Sequence, residues 1–403
     1  PADFLNALRL NERNPQGASR TLFSACFTRV CFGASYGFVS LVKTQRCFLY
    51  LKGIHMIERF FTLYKIPAAL LFCTALLLSG CGGNGAVTAE ETKLVMGTVA
   101  RLTVRADEIT SQAALRDGMA VLTQTEQDAD GVALAAVEAA AGTGEWREIP
   151  RTLYETLSRA QEGARRSHGA FDVTAGALTE LWERARAEKL PPSAEAVAAA
   201  RACVGYELLE LRTREENGQT KYEARLMKAG MQFDRGALIK GLALDGICST
   251  WQRAGITNAL ADLGTSSMLG MGVNEAGEPW QIGIRNPRGE RAGDMIAVLP
   301  LSDEVLSVSG DDERYFMYEG RRYHHLIDPR TGYPADTGLS SVAVTLPLAA
   351  EYAAGWEGNM GMLSDMLSTA VFVLGAEEGR KLLADVPSAL VILIGTDGKV
   401  IGE

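Results

Sequence analysis

The chain has 403 residues, 47% hydrophobic and 22% charged, with a formal net charge of −9 and a pI near 5.2. That is enough apolar material for one large domain or two small ones, and the acidity, with no basic run interleaved with aromatics, argues against nucleic acid as a partner. Seven Cys without a CxxC pair or a Cys/His cluster argue equally against a disulfide framework and a structural zinc site.

Residues 1–55 contain no Met and no clear periodicity, and read as a non-native upstream extension. From Met56, a basic start with Arg59 and Lys65, an apolar run from Ile66 to Leu78 and then Leu78-Ser79-Gly80-Cys81 make a secretory signal over 56–80. Leu-Ser-Gly-Cys is also the lipobox pattern, in which Cys81 becomes the lipidated first residue; the alternative is an uncleaved N-terminal anchor. Gly82, Gly83, Asn84 and Gly85 open a flexible tether, 81–92.

Lys93 to Val104 reads as a strand interrupted by Gly97, a sign of a bulge or of close approach by a ligand. Met96 beside it suits core packing or the covering of a planar ring. Ser111 to Asp128 reads as a helix with Ala114, Leu115, Met119 and Leu122 on one stripe, and 131–144 as an Ala-rich loop with at most one helical turn. Arg151 to His168 is a clearer helix, stopped by Gly169. The Gly169–Gly176 segment, carrying Ala170, Phe171 and Asp172, is either a plain helix–helix connection or a ligand-facing loop. A helix from Leu178 to Glu188 carries Trp182, and Ser193 caps another through Ala202. Leu208 to Arg214 and Lys221 to Arg225 form a hairpin about Asn217-Gly218.

Met231 to Gly241 reads as a strand ending in Asp234-Arg235-Gly236, followed by a helix to Trp251. Free N–H groups and the positive helix end suit a phosphate there, and Lys240, one turn in, reaches the same anion; the competing reading is a solvated surface lysine. Asn258 to Asp262 is a strand before the small-residue loop Leu263–Ser267, and Trp280 to Arg285 is another strand. Ile296 to Leu301 and Glu304 to Val308 are expected to pair around Ser302-Asp303, before a hydroxyl-rich loop, Ser307–Asp311. Tyr323 to Ile327, with His324 and His325, reads as a strand entering a tight turn at Asp328-Pro329-Arg330-Thr331-Gly332. Strand alternation sends the two imidazoles to opposite faces. After a strand at Ser341–Thr345, a buried helix beginning near Ser364 puts Asp365 and Thr369 on one face. As hard oxygen donors they suit Mg2+; the competing reading is a capping acid and a satisfied helix hydroxyl. A hairpin, Ala389–Gly395 with Lys399–Gly402, ends the chain. Many short strands among helices predict an α+β fold, mostly antiparallel sheets with packed helices, in a single large domain over 93–403.

Five stretches occur in order: Met96-Gly97-Thr98, Gly169-Ala170-Phe171-Asp172, Asp234-x-Gly236-x-x-x-Lys240-Gly241, His325-x-x-Asp328-Pro329-x-Thr331-Gly332-x-Pro334 and Asp365-x-Leu367-Ser368-Thr369-Ala370. Together they resemble the ApbE family of FAD:protein FMN transferases, from about Leu94 to the end. The resemblance implies a T-fold-like domain, exported and lipid-anchored on the periplasmic side of the bacterial cytoplasmic membrane. It implies a Mg2+-dependent reaction that splits the FAD pyrophosphate, joins FMN by a phosphoester to a Thr or Ser of a target flavoprotein and releases AMP. The targets it implies are subunits of Na+-translocating NADH:quinone reductase and Rnf-type complexes. It implies FAD contacts at Met96, Ala170, Phe171, Asp172, Asp234, Lys240 and Ile327. Metal binding is implied at Asp365, Ser368 and Thr369 and at the backbone oxygen of Ala237, and His325 as the general base. Departures stand at Gly264-Thr265-Ser266, where Gly-Gly-Asp is frequent, at Asp312, Arg235 and Ala237, and in an expected insertion, Leu348–Gly361. A Mg2+-dependent FAD pyrophosphatase and a non-enzymatic FAD-binding lipoprotein are the alternative readings.

Overall fold

The computed structural model describes residues 86–129, 131–237, 239–291, 293–349 and 359–402. The expected signal sequence, the expected lipidation site Cys81 and most of the expected insertion therefore lie outside the described residues. Residues Gly85–Glu403 make one compact unit.

β1 (Val87–Val95) and β2 (Thr98–Ala106) form a hairpin whose turn residues, Met96 (φ 53°) and Gly97 (φ 66°), are both left-handed. A two-residue hairpin demands this geometry, so Gly97 is a turn glycine and not a strand interruption. The strand already runs at Val87, inside the stretch expected to be tether. α1 (Glu108–Ala129) buries the expected stripe. The Ala-rich stretch expected as loop is a helix, α2 (Val132–Ala139): Ala favours helix, and Leu134 and Val137, three apart, both turn inward. β3 (Arg147–Glu148) leads into α3 (Arg151–Arg166), then α4 (Gly176–Glu188) and α5 (Ala194–Arg201), the last capped by Ser193 Oγ accepting from Ala196 N at 3.2 Å. β4 (Leu209–Glu216) and β5 (Gln219–Leu226) make the expected hairpin, with β3 on the other edge of β5.

No strand forms from Met231 to Asp234. Gln232 makes one isolated bridge to Ala175, and a 3-10 turn, Arg235–Ala237, precedes α6 (Ile239–Arg253). The backbone here is spent on the neighbouring loop and on α2: Asp234 N donates to Val173 O at 2.7 Å, and Phe233 N to Glu138 Oε1 at 2.9 Å. No ladder edge remains.

The strands that follow are β6 (Ala259–Leu263), β7 (Ser267–Met271), β8 (Trp280–Arg285), β9 (Met295–Leu301) and β10 (Glu304–Gly310). After them come β11 (Tyr315–Tyr318), β12 (Arg321–His324), β13 (Ile327–Asp328), β14 (Tyr333–Pro334) and β15 (Leu339–Pro347). α7 (Met360–Leu383) and β16 (Leu390–Gly395) complete the chain. Seven strands build an antiparallel sheet in the order β1-β2-β6-β7-β10-β15-β16. β9 does not pair with β10 as expected: β7 and β15 occupy both edges of β10, so β9 pairs with β8 in a separate ribbon.

α1 lies over β1 and β2, α7 over β10 and β15, and α6 packs between the two helices. Trp251, Phe372, Leu102, Leu115, Leu122 and Leu244 are fully buried here. Each such large apolar side chain stabilises the fold by about 1.5–3 kcal/mol. α7 is long and apolar enough to span a bilayer, but 72% of its apolar window is buried, which makes it a core helix. It starts four residues before Ser364, at Met360, and kinks at Gly375 (φ 85°). The spacing of α6 and α7 is set by two glycines. A Cβ on Gly241 would lie 2.6 Å from Gly361 O, and one on Gly361 2.5 Å from Gly241 O.

Candidate active site

The close crossing of α6 and α7 puts two carboxylates to use. Asp365 on α7 accepts from Gly241 N, in the first turn of α6, at 3.1 Å. Asp245 on α6 accepts from Gly361 N at 2.7 Å and Met362 N at 2.9 Å, in the first turn of α7. Each helix thus supplies the acid that caps the other's N-terminus. Burial pushes Asp365 up to about 6, with the Lys240 charge opposing it, and pushes Asp245 up to about 7. Asp245 did not emerge from sequence reasoning; the available signal was an acid set between Leu244 and Ile247 on a buried face.

Lys240, in the first turn of α6, donates from Nζ to Ser266 Oγ at 2.6 Å. Among the described residues no carboxylate lies within 4 Å of it, and burial holds the ammonium below its ordinary range. It is half-buried, so the solvated-surface reading fails. Ser266 is presented by a turn with Gly264 (φ 76°) and Thr265 (φ 68°) left-handed. A Cβ on Gly264 would fall 1.6 Å from Thr98 Oγ1, so only Gly lets this turn meet the tip of the β1–β2 hairpin, where Met96 sits half-buried.

Three hydroxyls gather beside Asp365. Ser309 Oγ, at the end of β10, is 2.9 Å from Ser368 Oγ and 3.2 Å from Thr369 Oγ1, and Ser368 Oγ also donates to Asp365 O at 3.0 Å. Ala237 closes the 3-10 turn leading into α6. The expected metal donors are all hard oxygens, which suits Mg2+. No cluster of three or more His, Cys, Asp or Glu that could hold a metal occurs among the described residues, so a cation here depends on hydroxyl, carbonyl and water oxygens around the Asp365 carboxylate. Ser309 was noticed only as part of a hydroxyl-rich loop; its place between Ser368 and Thr369 is tertiary.

The two histidines part company. The expected strand Tyr323–Ile327 is broken at His325-Leu326, because the His324 ring takes over the local bonding. Its Nδ1 accepts from Leu326 N at 3.3 Å, its Nε2 lies 3.0 Å from Ala335 O, and the ring stands edge-on to Phe372 at 5.4 Å. Both histidines line a cleft with Thr179, Trp182, Glu183, Arg186, Arg314, Phe316 and Tyr323, and it is the bonding of their rings that differs. His325 Nδ1 is buried without a hydrogen-bond partner, an uncommon state for a polar atom. Burial, then the charges of Arg314, His324 and Lys240, hold the ring well below the ordinary histidine range, so it is neutral at pH 7. The Asp328–Gly332 turn is tight as expected: Gly332 N donates to Asp328 O at 2.8 Å, and Trp182 Nε1 docks the turn on α4 through Gly332 O at 2.8 Å.

The remaining residues divide. Asp234 is bonded to a residue of the cleft wall, its Oδ2 accepting from Thr179 Oγ1 at 2.9 Å and its Oδ1 from Gly236 N at 3.1 Å. Burial raises its pKa, with Arg314 opposing. Ala170, Phe171 and Asp172 are buried, and the Asp172 carboxylate is spent on Thr174 N, Thr174 Oγ1 and Tyr206 N. Ile327 is buried in a cluster with Leu178 and Trp182. The structure therefore brings Asp234, Lys240, His325, Asp365 and Thr369 into one electrostatic neighbourhood. It does not bring Ala170–Asp172 into that neighbourhood, Phe171 lining a separate pocket with Leu363 and Met366, and it packs Ile327 behind Trp182. Arg314, whose charge bears on Asp234, Lys240, His325 and Asp365 alike, was missed. An exposed arginine in a polar loop gives no periodic signal.

The ApbE family model matches residues 96–393. A Treponema pallidum protein named FAD:protein FMN transferase is 32% identical over 345 residues, covering 82% of this chain and 91% of its own. The crystal structure of the ApbE protein from Thermotoga maritima superposes with a TM-score of 0.65 at 27% identity, over 78% of this chain and 96% of its own. The flavin transferase ApbE from Vibrio cholerae shares the fold, with a TM-score of 0.64 at 23% identity over the same shares. With the family match spanning nearly all of the described domain, and the fold in agreement, this chain belongs to the ApbE family.

Proposed function

We propose that this protein is an FAD:protein FMN transferase that uses Mg2+ to cleave FAD, attaches FMN by a phosphoester to a Thr or Ser of a target flavoprotein, and releases AMP. One observation carries the reading. An ammonium without a carboxylate within 4 Å, half-buried oxygen donors and an imidazole with a partnerless Nδ1 lie in one electrostatic neighbourhood, as Lys240, Asp365 with Thr369, and His325. The name of the Treponema pallidum relative supports it.

The acceptor hydroxyl oxygen attacks the phosphorus on the flavin side of the diphosphate, the bond to the bridging oxygen breaks, and AMP leaves with that oxygen. His325 takes the hydroxyl proton, for which its neutral state fits it. Lys240 offsets diphosphate charge and the charge growing on the leaving phosphate. Asp365, Ser368, Thr369 and the Ala237 carbonyl would hold Mg2+, which when bound draws charge from the diphosphate oxygens. Asp234 and Met96 contact the dinucleotide, and Ile327 packs behind Trp182 of the cleft wall. The lipobox at Leu78–Cys81 supports export and lipidation at Cys81, on the periplasmic side of the cytoplasmic membrane. Acceptors there would be subunits of Na+-translocating NADH:quinone reductase or Rnf-type complexes.

Purified protein with FAD, Mg2+ and a validated acceptor should give a UV-fluorescent acceptor band that survives denaturing electrophoresis, and Asp365→Ala should abolish it. No band, or an unchanged band with the variant, rejects the scheme. FMN and AMP formed at a rate indifferent to acceptor would select a pyrophosphatase. Tight FAD binding without AMP release in Mg2+ would select a flavin-binding lipoprotein.

A further inference from the structure

Arg314 is a cation left without an ion-pair partner by an arrangement that could have given it one. Three acids precede it in sequence, and each is held elsewhere. Asp311 forms a two-pronged pair with Arg288 at 2.7 and 2.6 Å. Asp312 turns to Arg285 at 3.7 Å. Glu313 lies 4.0 Å from Arg285 and accepts from Thr265 Oγ1 at 3.1 Å. Among the described residues no carboxylate comes within 4 Å of the Arg314 guanidinium.

Its position is nonetheless fixed. Arg314 O accepts from His325 N at 3.0 Å, and Tyr315, the next residue, pairs across the hairpin with His324. The side chain lines the same cleft as His325 and Thr179. Lys240, a second cation without a carboxylate within 4 Å, is near enough for its charge to act on His325 and is bonded only to a serine hydroxyl. Two cations without a direct carboxylate partner beside a neutral imidazole, in a chain of net charge −9, mark a place for a ligand with more than one negative charge. A guanidinium presents paired N–H donors at the spacing of two phosphate oxygens, which an ammonium does not.

We propose that Arg314 is a substrate-binding residue that grips the diphosphate oxygens of the dinucleotide together with Lys240. The inference rests on the flavin-dinucleotide reading above and adds a residue to it. Its consequence is selectivity: Arg314 reads the diphosphate and not the flavin ring.

The test is equilibrium binding to the full protein of three probes: FAD, ADP as a diphosphate without flavin, and riboflavin as flavin without phosphate. Arg314→Gln should weaken FAD and ADP by about 10- to 100-fold, the range for losing a charge-assisted contact, with riboflavin changed less than about twofold. Arg314→Lys should recover only part of the loss, because the ammonium cannot make the paired contact. An unchanged urea midpoint in Arg314→Gln shows that the variant folds, as the exposed position leads one to expect. Equal weakening of all three probes would overturn the assignment, since Arg314 would then be shaping the cleft. FAD and ADP affinities within twofold of wild type would overturn it too, leaving the transferase reading intact. Wild-type protein that binds neither FAD nor ADP would overturn both.

Discussion

Gly241→Ala is decided by a competition of signs. Gly241 lies in the first turn of α6, and helix propensity alone makes Ala up to about 1 kcal/mol better. The crossing with α7 says the opposite. The new Cβ would sit 2.6 Å from Gly361 O, 2.7 Å from Met362 Cα and 2.8 Å from Gly361 C, where ordinary contact begins at 3.4 Å. The two backbones must part by about 0.8 Å, the difference between 2.6 and 3.4 Å, and no side chain can swing aside to spare them. Overpacking of this kind costs about 1–3 kcal/mol. Parting also stretches the 3.1 Å bond from Gly241 N to Asp365, and a hydrogen bond to a charged group contributes about 1.5–3 kcal/mol. Net of propensity, a loss of about 2–4 kcal/mol is expected. The assay is urea unfolding followed by intrinsic tryptophan fluorescence, with flavin transfer measured alongside. Transfer should fall more than stability alone accounts for, because Lys240 and Asp365 ride on the two displaced helices. Gly361→Ala, whose Cβ would meet Gly241 O at 2.5 Å, should act in the same direction. A Gly241→Ala protein as stable as wild type, with undiminished transfer, refutes the reasoning.

Three other outcomes follow from the same geometry. Asp245, pushed up to about 7, binds its proton more tightly folded than unfolded, so the stability it lends is full below pH 4 and lost as the pH rises to about 7. The gap from 3.8 to about 7 corresponds to about 4 kcal/mol, and Asp245→Asn should flatten the stability–pH curve in that window; an unchanged slope counts against burial raising this carboxyl. His325→Ala should slow transfer by about 100- to 10,000-fold, while His324→Ala should cost about 1–3 kcal/mol of stability and less activity; equal activities would undo the distinction. Because His325 sits well below 6.5, the acid limb of the activity profile should lie below pH 6.5, and a half-fall at or above that value would contradict it. Ser309→Ala should raise the Mg2+ concentration for half-maximal transfer by roughly 10-fold, as loss of a residue supporting metal ligands does, and no change would remove Ser309 from the site.

Local chemistry was legible in the chain. The α1 stripe, the Ser193 cap, the Asn217-Gly218 hairpin and the Asp328–Gly332 turn are written in residues a few positions apart, and the structure has them where the sequence puts them. The oxygen donors on α7 and the lysine opening α6 were also readable as types, since side-chain chemistry needs no partner to be recognised. Pairing was not. β9 looked fit for β10, but which strand a strand joins depends on whether its edges are already taken, and β7 and β15 had taken both. Nor does the run from Asp311 to Arg314 say that its three acids will be held by other partners and leave Arg314 without one, or which of two adjacent imidazoles will be bonded to a carbonyl and which will keep a partnerless nitrogen. Those choices are made by contacts between segments far apart in sequence. The chain by itself determined the family, the class of fold and the kinds of atoms at the site; the tertiary structure alone decided which of those atoms are satisfied within the protein and which are left for a ligand.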